Sequence, residues 1–349
     1  MAPWYVDFSA GSNGAGTSAG SPFNNIASLV SAAPAAGDVV YCTGTLNGTL
    51  ALSTLAGSSL ANTINFEGVT NLSTLDKSSR TLINASGQSA ALTGSGGNLR
   101  FFNFDFRNST GTTHQASGSN LQFINCVFHK GTGSAASALN AFDQYIRGCQ
   151  FYNYTGTAVT TAGVSGSVFE DNLISGCAAG LSASGYRSLV IRGNVFVSIT
   201  GNALTMPNNA VPGTAYAIHT NTFYGIGGDA ITFGGSGNGE VMVCFNLFGS
   251  VTGTAINISG SVSSTTIGAH TNNFWSIGTN LGANVKNLGS NVTLGSSPFT
   301  SPPSDVTVTS GSGLRGTWFN GSSFGAQQIG AGGGGGGGYI GHALLGGEL

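Results

Sequence analysis

Charged residues are scarce in this 349-residue chain, since Asp, Glu, Lys and Arg together make up 6% of it. Typical soluble domains contain about 25% of these residues, so Ser, Thr, Asn and Gly must supply the solvation. The formal net charge is −2 and no basic stripe occurs, which argues against a nucleic-acid partner. No apolar run approaches the roughly 18 residues of a membrane-spanning helix. We therefore expect neither nucleic acid nor a membrane as a partner.

The first residues, MAPWYVDF, have neither the basic nor the apolar segment of a secretory signal peptide. The composition, by contrast, is that of an extracellular protein. Synthesis in a host cytoplasm followed by release through lysis would reconcile the two observations. We therefore expect a virion component, with an extracellular location as the alternative.

One six-residue motif occurs eight times between Phe101 and Phe274, at intervals of 22 to 27 residues. The copies are FFNFDF, FINCVF, IRGCQF, FEDNLI, IRGNVF, IHTNTF, VCFNLF and AHTNNF. The first position is apolar, the sixth is almost always Phe, and the pair between them favours a bend. Self-similarity at this period predicts a solenoid built from stacked repeats.

A second motif, Gly-x-Ala-apolar, follows several copies, as in GTAV at 156–159 and GDAI at 228–231. Each coil then holds about three short strands separated by bends. Parallel stacking at about 4.8 Å per coil predicts a single right-handed parallel β-helix of about ten coils. The fourth motif position should form an internal ladder of amides, because an unpaired buried amide is costly. Its members are Asn172, Asn194, Asn221, Asn246 and Asn272.

These repeats resemble those of the right-handed β-helix proteins of the pectate-lyase-like superfamily. The opening segment is similar to the usual start of that group, with a strand at Trp4–Asp7 and an amphipathic helix at about 23–33. Phe23, Ile26 and Val30 would lie on one face of this helix, and the resemblance implies that it caps the first coil. An uncapped sheet edge invites aggregation. The segment SSFGAQQIGA at 322–331 is similar to a closing strand.

The resemblance covers about residues 3–331, and we expect three parts: an N-terminal entry strand and capping helix at 1–37, the β-helix at 38–331, and a glycine-rich tail at 332–349. Seven consecutive glycines cannot hold a tail in place alone. We therefore predict that the apolar residues after them bind a neighbouring subunit as an assembly tether. These residues are Tyr339, Ile340, Leu344 and Leu345. The glycine run is not a phosphate-binding loop, because no Gly-Lys-Ser/Thr follows it.

The second motif position should point outward, and it carries charges of alternating sign at Arg147, Glu170 and Arg192. Asp171 lies at the bend, and Asp143 and Arg187 are close in sequence. If the protein is an enzyme, Arg147, Glu170, Asp171 and Arg192 are the candidate catalytic residues, for an acidic-sugar or metal-assisted reaction. The alternative is a surface ion-pair ladder, worth at most about 1 kcal/mol per pair. A hydrolase would need a second, separate carboxylate facing the same groove.

His219, Cys244 and His270 occupy that same position in successive copies. Parallel side chains on successive coils place the two histidines about 10 Å apart, too far for one zinc ion. We expect no metal and no cofactor.

Cys126 and Cys149 share the fourth position of adjacent copies, but parallel Cβ vectors suit a disulfide poorly. Buried free thiols are therefore expected.

The face of the Gly-x-Ala motifs is rich in hydroxyl groups, with Asp229 as its one carboxylate and no aromatic platform. It suits packing against another subunit, or weak binding of glycan or ice.

The superfamily includes lyases, hydrolases, adhesins and phage proteins, so the fold does not decide the function. We expect a non-enzymatic, structural or receptor-facing component of a phage-like virion. The alternatives are a polysaccharide lyase or glycoside hydrolase and an extracellular adhesin. The expected partners are other virion subunits, with a second copy of the chain or a host glycan as further candidates.

Overall fold

The computed structural model describes residues 2–52, 55–59, 61–94, 97–111, 120–142, 145–162, 167–184, 188–207, 215–234, 240–259 and 266–308. The closing strand predicted at 322–331 lies outside the described residues. The same holds for the tail at 332–349, with its four predicted anchor residues, and for Asp143 and Arg187.

The described residues form a solenoid of stacked parallel strands, as the repeats predict. A first sheet contains twelve strands in parallel register. They are Pro3–Asp7, Val39–Thr43, Ile64–Gly68, Leu99–Phe102, Gln122–Ile124, Tyr145–Arg147, Ser167–Glu170, Ser188–Arg192, Ala215–His219, Glu240–Cys244, Thr266–His270 and Lys286–Asn287.

A sheet of sixteen strands supplies two further faces of the solenoid. The second face consists of Thr45–Asn47, Thr81–Asn84, Phe104–Arg107, Val127–His129, Gln150–Tyr152, Leu173–Ser175, Val195–Ile199, Thr222–Ile226, Leu247–Ser259, Asn273–Leu281 and Val292–Thr293. The third face consists of Leu139–Phe142, Thr157–Ala162, Ala179–Ser184, Leu204–Pro207 and Ile231–Gly234, joined to the second face by the long strand Leu247–Ser259. Two short pairs remain, Leu50–Ala51 with Leu92–Thr93 and Phe299–Ser301 with Asp305–Val308.

The fold class is that predicted, but the chain forms about eight turns instead of about ten. The difference arises at the ends, where a level does not contain strands of all three faces. At the C-terminal end, for example, the last level contains only the two-residue strands Lys286–Asn287 and Val292–Thr293.

The bend inside each motif is made by a residue with positive φ at the third position, from 51° to 66°. These residues are Asn103, Asn125, Gly148, Asp171, Gly193, Thr220, Phe245 and Thr271. Such left-handed geometry favours Gly, Asn and Asp, which is why those residue types recur there. The bend turns the chain from the first sheet to the second face, so both flanking strands bury their apolar side chains in one core.

The core of the solenoid consists of stacked side chains of the same type. The sixth-position rings of Phe196, Phe223 and Phe248 lie almost parallel, with centroids 5.0 Å apart at each step. All three are fully buried. Rings at this separation gain about 0.5–1.5 kcal/mol per pair beyond the burial of their area, so each coil stabilises the next.

A short helix at Ile26–Ala32 covers the N-terminal coil, within the range predicted, but Phe23 lies before the helix and pairs with Val6 instead. Asn25 caps it, because the Asn25 side chain accepts a hydrogen bond from the Ser28 amide at 2.8 Å. The residue buried most deeply is Leu29, which the sequence analysis did not include in the apolar face. Ile26 and Val30 are only partly buried. Within the described residues no helix is long and apolar enough to cross a membrane.

At the other end, the hairpin formed by Phe299–Ser301 and Asp305–Val308 packs on the outside of the second face. Phe299 and Val306 are buried there against Leu247 and its neighbours. Gly249 makes room for the ring, since a Cβ at this glycine would lie 2.3 Å from Phe299. The hairpin therefore covers one side of the solenoid.

Candidate functional site

The outward side chains of the first sheet form one continuous column, because the strands pair in register. Arg147 pairs with Glu170, Glu170 with Arg192, and Arg192 with His219. Cys244 and His270 continue the same column. The structure thus brings together three of the four candidate catalytic residues, Arg147, Glu170 and Arg192, and places Asp171 at the adjacent bend.

Glu170 is the centre of this cluster, and both of its carboxylate oxygens are occupied. Oε1 accepts a hydrogen bond from the Tyr145 hydroxyl at 2.7 Å and lies 3.3 Å from Arg147 Nε. Oε2 accepts from Arg192 Nε at 2.6 Å and lies 2.5 Å from Arg192 Nη2. The Glu170 side chain is only 4% exposed although it points outward, since these three neighbours enclose it.

The protonation of this cluster follows from its contacts. Burial alone would raise the pKa of Glu170, but the bond from Tyr145 and the two guanidinium groups outweigh it, so the pKa is lowered. Burial and the neighbouring Glu170 raise the pKa of Tyr145. The Tyr145 hydroxyl therefore stays protonated and donates a hydrogen bond to the carboxylate. Glu170 is thus a fixed anion at neutral pH.

Asp171 contacts the same cation as Glu170. It lies next to Glu170 in the chain, and its Oδ2 is 3.7 Å from the same Arg147 Nε. The two carboxylates therefore share one cation. The sequence analysis missed Tyr145, because a tyrosine one residue before the motif shows no charge pattern.

His219, Cys244 and His270 lie in the predicted column but do not converge. Among the described residues, no three His, Cys, Asp or Glu side chains are placed to hold a metal ion. Burial and the Arg192 charge lower the pKa of His219, and burial raises that of Cys244 to about 11. At neutral pH, this part of the column therefore contains a neutral imidazole at His219 and a protonated thiol at Cys244.

The inner side of the same corner contains the amide ladder. In each coil the backbone N–H and Nδ2 of one asparagine donate to Oδ1 of the next, at 2.9 to 3.1 Å. The members are Asn172, Asn194, Asn221, Asn246, Asn272 and Asn291. Asn291 was missed because the segment around it does not repeat the motif.

Two cysteines extend this ladder towards the N-terminus. The Cys149 amide donates to Asn172 Oδ1 at 2.8 Å, and the Cys126 amide donates to Cys149 Sγ at 3.4 Å. The thiols donate in turn to backbone carbonyls, Cys149 Sγ to Phe123 at 3.4 Å and Cys126 Sγ to Phe101 at 3.6 Å. Each thiol thus performs, more weakly, the role of an asparagine side chain. All five cysteines are free in this structure.

The third face has the hydroxyl-rich column that the Gly-x-Ala motifs predict, with Thr160, Ser182 and Thr205 in register. Its carboxylate, Asp229, is committed to structural contacts. It accepts from the Thr254 amide and from Asn257 Nδ2, each at 2.7 Å. Asp229 therefore fastens two coils together.

Comparison with known proteins identifies the architecture. Residues 64–210 match the family described as the right handed beta helix region. Pectate lyase Pel9A superimposes with a TM-score of 0.58 and 15% identity, covering 94% of this chain and 96% of that chain. A GH136 lacto-N-biosidase from Eubacterium ramulus gives 0.50 and 12%, covering 84% and 67%. The tailspike protein of E. coli bacteriophage HK620 gives 0.49 and 14%, covering 83% and 56%. A search of curated proteins found no match.

These comparisons confirm a right-handed parallel β-helix whose structural neighbours are pectate-lyase-like proteins. At 12% to 15% identity they show the fold alone. Function has to be argued from the residues of this chain.

Proposed function

We propose that this right-handed β-helix protein is a non-enzymatic component of a phage-like virion, in which it presents a stiff body from an assembly. The observation that carries the proposal is the state of Glu170. Both of its oxygens are bound by Tyr145, Arg147 and Arg192. A general acid or base must exchange a proton near its working pH, and this carboxylate is held as an anion by three partners.

The interior supports the mechanical part of this proposal. The amide ladder and the phenylalanine stack both run from coil to coil through the body. The rungs from Asn172 to Asn272 are buried and hydrogen-bonded to their neighbours, so bending the solenoid would strain many contacts at once. A body of this kind suits a spacer or a receptor-facing projection.

The location rests on composition and on the C-terminal sequence. The low content of charged residues is that of an extracellular protein, which a virion protein becomes once lysis releases it. Residues 332–349 would act as the assembly tether, with Tyr339, Ile340, Leu344 and Leu345 binding a neighbouring subunit. Deleting 332–349 should leave the melting temperature unchanged and abolish incorporation into particles. Normal incorporation of the truncated chain would contradict the tether.

The enzyme alternative is favoured by one observation, the fold shared with a pectate lyase. It predicts turnover of acidic or neutral polysaccharides that is lost in both Glu170→Gln and Arg147→Ala. We expect no turnover by the natural sequence across a broad panel. An Asp229→Asn variant is the matched control, because Asp229 is the carboxylate of another face. Turnover abolished by the first two changes and retained by the third would overturn the non-enzymatic proposal.

Localisation separates the virion from the adhesin alternative. Mass spectrometry of purified particles should detect the chain at a fixed stoichiometry. Detection only on cell surfaces, together with glycan binding by the isolated protein, would favour the adhesin.

A further inference from the structure

The first sheet also carries an apolar stripe on its outer face, beside the charged column. It consists of Val168, Val190, Ala217, Met242 and Gly268, which pair strand to strand in register. Lys286 occupies the next level of this column. The stripe is therefore a straight row, with one residue per coil and a single cation at its C-terminal end.

The stripe is most exposed where it approaches the last coils. Among the described residues, the exposed large apolar side chains are Met242, Leu288 and Val292, at 44%, 48% and 48%. Met242 and Leu288 belong to one patch, because a Cβ placed on Gly268 would lie 2.5 Å from Leu288 Cδ1 and 3.8 Å from Met242 Sδ. Contiguous exposed apolar surface of this kind marks an interaction site.

We propose that the occupant of this stripe is the same stripe of a second copy of the chain, packed face to face about a two-fold axis parallel to the strands. Such an axis reverses the order of the coils and preserves the strand direction. With the axis between the strands of Ala217 and Met242, each Met242 packs on the small Ala217 of the other copy. The large side chain of Met242 then meets the small side chain of Ala217 at two symmetry-related contacts, as a self-complementary interface requires. In the same arrangement Val190 faces Gly268 and the Leu288 side chain above it.

The charges agree with this reversed order. Lys286 at one end lies opposite Val168 of the other copy, in the coil that carries Glu170 and bends at Asp171. The carboxylates of that coil are already paired with Arg147 and Arg192, so Lys286 meets a cluster without net charge at each end of the interface, while its centre is apolar. A parallel arrangement would place Lys286 against Lys286. The N-terminal end is covered by the helix Ile26–Ala32, which disfavours head-to-tail stacking as well.

The size of the stripe sets the expected strength. Five coils span roughly 20 Å, so the stripe and its flanks supply a few hundred Å², less than the roughly 800 Å² per partner of a standard interface. The dimer should be weak and concentration-dependent. This inference is independent of the proposed function, since a dimer is compatible with a virion protein, an enzyme or an adhesin.

Sedimentation equilibrium of the full chain provides the first test. The average mass should rise with concentration towards twice that of the chain, and Met242→Lys should weaken the association about tenfold or more. Val292→Lys is the matched control, because Val292 is equally exposed at the same end but belongs to the second face. A mass that stays monomeric at all soluble concentrations would overturn the proposal. Equal weakening by Val292→Lys would also overturn it, since the contact would then be the end of the solenoid.

Cross-linking tests the antiparallel order in a Cys244→Ser background. Val168→Cys and Lys286→Cys proteins should cross-link through a short bis-maleimide when mixed. Neither should do so alone, because like positions then lie about five strand spacings, or roughly 24 Å, apart along the axis. Cross-linking of either variant with itself, or none in the mixture, would contradict the arrangement.

Discussion

The inner and outer sides of the first sheet differ in how regularly their residues repeat from coil to coil. On the inner side of the corner, five successive steps between asparagines repeat the same hydrogen bond, from a backbone N–H to the next Oδ1 at 2.9 to 3.0 Å. On the outer side, successive coils from Arg147 to Cys244 carry in turn a cation, an anion, a cation, an imidazole and a thiol. The inner side is repetitive because each rung must satisfy the next. The outer side is free to vary, so any function specific to this chain must be found there.

The outer side itself divides into two parts. Between Arg147 and Arg192 the polar groups satisfy one another and enclose Glu170. Beyond His219 the surface is neutral at His219 and Cys244 and exposes Met242 and Leu288. The first part consists of ion pairs, which should stabilise the protein, and the second part is where we propose that a second copy binds. The following predictions test this division, from the largest expected effect to the smallest.

Replacing Asn194 by alanine should have the largest effect on stability. Asn194 Oδ1 accepts from Asn172, and its Nδ2 donates to Phe169 O at 2.8 Å and to Asn221 Oδ1 at 2.9 Å. Loss of these contacts leaves several buried groups unpaired, each costing about 1–3 kcal/mol, so we expect a loss of roughly 4 kcal/mol in the free energy of unfolding. Chemical denaturation measures this.

Asn291→Ala is the matched control, because Asn291 is the C-terminal rung of the ladder in the described residues and is only partly buried. A cost for Asn194→Ala no larger than that for Asn291→Ala would show that the ladder does not stabilise the interior cooperatively.

Replacing Glu170 by glutamine should have a smaller effect, about 2 kcal/mol, because hydrogen bonds to a charged group contribute about 1.5–3 kcal/mol. The neutral amide cannot balance both Arg147 and Arg192. These arginines are partly exposed and screened by water, which keeps the cost below that of a fully buried pair. Thermal melting at neutral pH measures the change, and an unchanged melting temperature would show that the cluster contributes nothing.

The same cluster predicts a pH dependence with a definite sign. The pKa of Glu170 is lower in the folded state than in the unfolded state, so its contribution is fully present above the ordinary glutamate value of about 4.3. It is lost as the pH falls through the folded-state value. The natural sequence should therefore lose more stability between neutral and acidic pH than Glu170→Gln does. Parallel stability curves for the two proteins would contradict the assignment.

The sequence predicts the interior far better than the surface. Asn172 to Asn272 could be placed in one ladder because buried amides must pair and the motif repeats. Asn291 could not, because the segment around it lacks the motif, although its amide meets the same demand. Tyr145 and the patch of Met242 and Leu288 were missed for a related reason. They depend on side chains from neighbouring coils that meet only after the register is fixed, and no periodic signal marks them.

The smallest predicted effect is a gain. Cys149 accepts the Cys126 amide through sulfur at 3.4 Å, where the asparagine rungs accept through oxygen at 2.9 to 3.0 Å. In Cys149→Asn, Oδ1 would accept this amide, and Nδ2 would donate to Phe123 O in place of the thiol. Two stronger hydrogen bonds should raise stability by about 1 kcal/mol.

Cys177→Asn is the control, because the buried thiol of Cys177 lies outside the ladder and donates to the Ser175 carbonyl. That change should destabilise the protein, because no neighbouring rung of the ladder can form a hydrogen bond with the new amide. Destabilisation by both changes would show that the ladder ends at Asn172 and that Cys126 and Cys149 are ordinary core residues.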